Sequence, residues 1–164
     1  MTLAADVVEL LVERRLTIAV AESLTGGLLV AELVSVPGAS SVVRGGVVAY
    51  ATPLKHTLLG VDAELLASHG AVDPEVARQM AAGARTRLGV DGVPAAIGIS
   101  TTGVAGPDPQ DGHPVGEVWL GLSIGDATRV KRLDLDGDRA AIRAAVVSES
   151  LSWLLERLRG GAPE

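Results

Sequence analysis

Cysteine and phenylalanine are both missing from this chain. Without cysteine there is no disulfide and no thiolate ligand for a metal. Without Phe, and with two Trp and one Tyr, the core has to be built from Val, Leu, Ile and Ala. That composition suits strands and helices packed in layers better than an aromatic sandwich core. Basic excess is missing as well: 14 Lys and Arg stand against 20 Asp and Glu, a formal charge of −6. No basic cluster of the kind that grips nucleic acid occurs, so no nucleic-acid partner is expected. The apolar runs fall far short of a bilayer span, and no membrane partner is expected. Residues 1–15 carry Asp6, Glu9 and Glu13 where a secretory leader has a basic start and an apolar middle, which points to a cytoplasmic protein. His56, His69 and His113 lack metal-ligand spacing, so no metal site is expected.

What is present is an alternation of helical and strand-like segments within 164 residues, a length for one domain over 1–164. Residues 3–14 read as a helix, with Leu3, Val7, Leu10 and Leu11 at helical spacing. "TIAVA" (17–21) reads as a buried strand, 26–35 as a helix stopped by Pro37 and Gly38, and "GGVVAY" (45–50) as the next strand. Thr52-Pro53 and Asp73-Pro74 look like N-caps followed by proline at the first helical position. Ala77, Met80, Ala81, Ala84 and Leu88 then share a helix face, and His69 reads as the end of a short helix. Residues 94–100, 116–124 and 128–135 read as strands, the last two joined as a hairpin across Gly125-Asp126-Ala127. A helix over about 138–158 closes the chain, and the tail 160–164 is expected to fray. Helices on both faces of a mixed sheet fit this order. Residues 101–116 are too polar and glycine-rich for core and too long for a routine connection.

Four stretches carry residues capable of chemistry. In "AESLTGG" (21–27), Ser23 sits between a strand and a helix start. It either caps that helix or is a nucleophile beside backbone N–H donors near Thr25, Gly26 and Gly27. In "YATPLK" (50–55), the sole tyrosine, Tyr50, ends a strand. Lys55 follows in a first helical turn, where the helix dipole disfavours a cation and lowers the lysine pKa toward that of a general base. A packed tyrosine and a solvated lysine are the plainer alternative. In "STTGVAGPDPQDGHPVGE" (100–117), Thr101, Thr102, Gly103 and Gly106 offer hydroxyls and backbone at the carboxyl end of a strand, where open α/β sheets bind ligands. No Gly-Lys-Ser/Thr follows the glycines, so this is no Walker A loop. In "DGDRAAIR" (136–143), Asp138 can cap the last helix. Arg139 and Arg143 oppose its dipole unless an anion such as phosphate sits there, or they are surface arginines.

These pieces, in this order and with "GASSVVRGGVVAYATPLKHTLLGV" and "GAVDPEVARQMAAGA", resemble the CinA C-terminal domain family, the nicotinamide-nucleotide amidases. The resemblance spans roughly residues 5–158. It implies a three-layer α/β/α sandwich around a mixed, mostly parallel sheet of about five strands. It implies hydrolysis of the carboxamide of nicotinamide mononucleotide to nicotinate mononucleotide and ammonia, with no cofactor. It makes Ser23 the nucleophile with Tyr50 and Lys55 as activating partners, and puts Thr102 and Arg139 in the substrate site with Thr25, Gly26, Gly27, Gly103 and Gly106. A small nucleotide is the partner implied, and a homo-oligomer, a dimer by preference, is expected. Some members carry a large further N-terminal domain, for which this chain is expected to leave no room. It departs from the family pattern at Ala51, Thr52 and Pro53, at Pro109 and at His113. The competing reading is a nucleotide-binding module of the competence or damage-inducible type without catalysis. It would keep the glycine loops and Arg139 but has no need of Ser23 and Lys55 together.

Overall fold

A computed structural model describes residues 1–160. The frayed tail expected over 160–164 lies, apart from Gly160, outside the described residues. Helix α1 (Leu3–Arg14) leads into strand β1 (Ile18–Glu22), then α2 (Leu28–Val34), a 3-10 turn (Ala39–Ser41) and β2 (Val43–Val48). Three helices follow, α3 (Thr52–Leu59), α4 (Ala63–His69) and α5 (Pro74–Arg87). Strands β3 (Ile97–Gly103), β4 (Glu117–Ile124) and β5 (Ala127–Asp134) precede the long α6 (Arg139–Arg159). The sheet order is β2-β1-β3-β4-β5. β1 pairs in parallel with β2 and β3, and β4 is antiparallel to both its neighbours. Four strands therefore point one way and β4 the other: the sheet is mixed and five-stranded, inside an α/β/α sandwich.

Alternation along the strands explains how the two helical layers differ. Ile18, Val20, Ile97, Ile99, Leu120 and Leu122 face α1, α2 and α6 in one apolar cluster. The opposite face carries small residues. Ala19 and Ala21 join Val76, Met80 and Ala84 of α5 in a second cluster. Any Cβ added at Gly98 or Gly121 would run into the backbone carbonyls of Ala81 and Ala77 of α5. Ser100 Oγ donates to that same Ala77 carbonyl at 2.6 Å. Small residues let α5 lie close against the sheet, and close packing is where dispersion accumulates.

Several boundaries move for physical reasons. The residue flanking α3 at its start is Ala51, with no side-chain cap; Thr52 is already helical, with Pro53 beside it in the first turn. The segment between β2 and β3 holds three helices, the middle one ending at His69 as expected. Gly60, at φ +73°, ends α3, and the Asp62 side chain accepts from Glu64 N–H to start α4. Asp73 does cap α5, accepting from Glu75 and Val76 N–H. Thr101 and Thr102 lie within β3, and the stretch over 101–106 is mostly buried, so the loop proper is the exposed part after Gly106.

Candidate active site

Three parallel strands end at one place. Ser23 directly follows β1, and its N–H donates to Thr101 O of β3 at 3.0 Å, extending the ladder by one residue. Ala49 directly follows β2, and its N–H donates to Glu22 O at 2.9 Å on the other side of β1. Lys55 reaches back from the first turn of α3 to this junction. Its Nζ lies 3.0 Å from Ser23 Oγ, 2.8 Å from Ala49 O and 3.3 Å from Tyr50 O. Lys55 is fully buried. Burial lowers its pKa from the ordinary 10.5 to about 8, because the charged form loses its hydration there.

Three oxygens around Nζ match the three hydrogens of an ammonium, which donates to all of them. A neutral –NH2 has two hydrogens and one lone pair; with the hydrogens on the Ala49 and Tyr50 carbonyls, the lone pair would face Ser23 Oγ, the orientation a base needs. Ser23 is buried beneath a cavity of about 270 Å³. Leu24, Tyr50, Thr52, Thr102, Gly106 and Arg139 contribute to its walls, along with Lys55 itself.

Tyr50 does not join the Ser–Lys pair through its hydroxyl. Its backbone carbonyl accepts from Lys55, while its phenol oxygen accepts from Arg139 Nη2 at 2.9 Å. Arg139 also donates through Nη1 to Gly106 O at 2.6 Å, so the start of α6 is tied to the β3–β4 loop at the cavity rim. Thr102 lines the cavity, but its hydroxyl donates to Ala71 O at 2.7 Å.

Thr25, Gly26 and Gly27 are placed differently from the substrate contacts expected of them; none lines the cavity. Thr25 is buried, its hydroxyl 2.8 Å from that of Thr101. The Gly26 N–H donates to Ser23 O at 3.1 Å. The start of α2 is already satisfied by Glu22. Its buried carboxylate accepts from the N–H groups of Gly27 (3.1 Å), Leu29 (3.0 Å) and Val30 (2.8 Å). A side chain of the protein occupies the place where an incoming anion was expected. Leu24, Ala105 and Gly106 are among the cavity-lining residues whose N–H groups have no protein acceptor among the described residues. Nothing in the sequence marks Glu22 for this part, because its partners are backbone N–H groups at the start of the following helix. His113, a departure from the family pattern, contacts Glu117 through Nδ1 at 3.1 Å and ties the loop to β4. Among the described residues no group of three or more His, Asp or Glu is placed to hold a metal.

The sequence model of the CinA C-terminal domain matches residues 1–158. The chain belongs to this family. It is 49% identical to a CinA-like protein of Frankia casuarinae over 162 residues, 99% of this chain and 36% of that relative. The chain thus spans little more than a third of the length of the curated relatives it matches. Its fold is that of a CinA superfamily protein from Klebsiella pneumoniae, with a TM-score of 0.90, 32% identity and 97% of each chain covered. The competence/damage inducible protein CihA of Agrobacterium tumefaciens matches with a TM-score of 0.87 and 34% identity over 96% of this chain and 93% of the other. In this CinA C-terminal domain the cavity therefore sits at the carboxyl ends of β1, β2 and β3, where open α/β sheets hold their ligands.

Proposed function

We propose that this CinA C-terminal domain is an amide hydrolase that converts nicotinamide mononucleotide to nicotinate mononucleotide and ammonia. The observation that carries the reading is the 3.0 Å contact between Lys55 Nζ and Ser23 Oγ, both buried, at the base of a cavity. Neutral Lys55 takes the Ser23 proton as Oγ bonds to the carboxamide carbon. The tetrahedral oxyanion needs donors that are not already engaged. The Leu24 N–H fits that part better than the Gly27 N–H, which Glu22 holds. Collapse breaks the carbon–nitrogen bond while Lys55 returns its proton to the departing nitrogen, releasing ammonia. Water, deprotonated by the same amine, then cleaves the ester to Ser23 and frees the carboxylate. Arg139 and the N–H groups of Ala105 and Gly106 are suited to the phosphate at the rim.

The purified protein incubated with nicotinamide mononucleotide should release ammonia and nicotinate mononucleotide in equal amounts. Ser23→Ala should lose turnover by on the order of 10³-fold or more while still binding the nucleotide in calorimetry. Binding by the parent protein without any product would instead favour the non-catalytic nucleotide-binding module.

A further inference from the structure

Arg143 stands one turn beyond Arg139 on α6 but takes no part in the cavity walls. Its guanidinium crosses to the segment just after Ser23. Nε donates to Leu24 O at 2.9 Å and Nη2 to Thr25 O at 3.1 Å. Among the described residues no carboxylate lies within ion-pair distance of it. Its contacts are two successive carbonyls, 118 to 119 residues away in sequence.

Peptide planarity turns those two bonds into a constraint on geometry. In a trans peptide the carbonyl and the following N–H point to opposite sides, so anchoring one orients the other. Arg143 fixes the 24–25 plane through Leu24 O and shares the 25–26 plane with the Leu28 N–H, which also donates to Thr25 O at 3.1 Å. The Gly26 N–H on Ser23 O fixes the 23–24 plane and turns the Leu24 N–H away from that contact. Every carbonyl from Ser23 to Thr25 is thereby engaged. Gly26 fits the same arrangement. It has φ +61°, and a Cβ there would come within 3.3 Å of Arg143 Nη2. A side chain at 26 would be strained by the backbone and would crowd the guanidinium.

We propose that Arg143 is a positioning residue for the nucleophile, holding the 23–26 arc so that Ser23 Oγ stays on Lys55 Nζ and the Leu24 N–H stays free. The inference rests on Ser23 being the nucleophile. The predicted signature is a fall in kcat with little change in KM, because Arg143 touches the loop and not the cavity.

The experiment compares the parent protein, Arg143→Ala and Arg143→Lys in two assays: turnover of nicotinamide mononucleotide, and the rate at which a fluorophosphonate probe labels Ser23. Arg143→Ala should lower both kcat and the labelling rate by roughly 10–100-fold, the scale of a small misplacement of reacting groups. Added methylguanidinium should restore part of each, which a general loss of folding would not allow. Arg143→Lys should recover less than half of the loss, since an ammonium lacks the fork that reaches both carbonyls. Parental kcat and labelling in either folded variant overturns the proposal, as does a loss confined to KM. If Arg143→Ala does not fold, Arg143→Lys decides by the same criteria. A parent protein that neither turns over nor labels removes the serine reading, and this inference with it. A reactive parent with equally reactive variants removes Arg143's part alone.

Discussion

At the residue scale, Lys55 is the group whose chemistry depends most on its surroundings. Its amine has to be neutral to accept a proton, and its pKa stands at about 8. The kcat/KM for the nucleotide should therefore rise with pH, with an apparent pKa near 8, and level off above it. Lys55→Met should remove that limb along with most of kcat. The same shift bears on stability. In the unfolded chain the lysine keeps its ordinary 10.5, so between about pH 8 and 10.5 the unfolded state binds more protons than the folded one. Stability owed to this group rises with pH across that window, and below it the full burial penalty applies. Unfolding free energies measured by denaturant titration should show the parent gaining on Lys55→Met from pH 8 to 10.5. A flat difference would mean the amine titrates normally. Tyr50 makes the opposite case. Its phenol oxygen meets Arg139, not Ser23 or Lys55. Tyr50→Phe should keep kcat within about fivefold, with the loss of the charge-assisted contact from Arg139 appearing in KM. A collapse of kcat would restore a proton-relay role for the hydroxyl.

At the scale of elements, α2 depends on a residue outside itself. It has seven residues, its flanking Gly27 offers no side-chain cap, and Glu22 from the end of β1 takes three of its N–H groups. Glu22→Ala would leave those donors buried or half-buried without an acceptor. The expected cost is on the order of 3 kcal/mol, which lowers Tm by roughly 6–12 °C in a chain of this size. Ser23 is the next residue, so kcat should fall too; thermal unfolding and turnover measured on one preparation check both. A Tm within a degree of the parent's would show that water replaces the carboxylate at no cost. The helices themselves were legible from apolar spacing alone in α1, and where spacing and a cap coincide in α5 and α6. They were not legible where local signals conflict: Thr52 looks like a cap but lies inside α3, because Pro53 fits the first turn with either residue as its neighbour.

At the scale of the whole molecule, the cavity draws on residues 23–24, 50–52, 55, 71–72, 102–106, 108, 110 and 139, which lie far apart along the chain. Arg139 joins the start of the last helix to Tyr50 and Gly106 at the rim. Arg139→Ala should raise KM for the nucleotide by roughly 10–100-fold, the loss of one charge-assisted contact. The phosphate-free nucleoside should be a poor substrate for the parent, and the substitution should hardly affect it. Equal penalties on both substrates would make Arg139 a strut between α6 and the loop, not a phosphate anchor.

The sequence alone determined the layered α/β plan and the strand–helix alternation, and the resemblance to the CinA C-terminal domain family brought Ser23, Tyr50, Lys55 and Arg139 together as a candidate set. The plan follows from local information: side-chain periodicity and proline and glycine placement. Only the tertiary structure decided which of those residues touch. Lys55 meets Ser23 because β1 and β2 end side by side, which no spacing along the chain records. The first turn of α2 is filled by Glu22 instead of being open to a ligand, and Arg143 is turned toward the loop after Ser23 although it sits a single helical turn from Arg139. Both outcomes depend on the direction a side chain takes when two elements pack, and direction is set by neighbours that folding brings together.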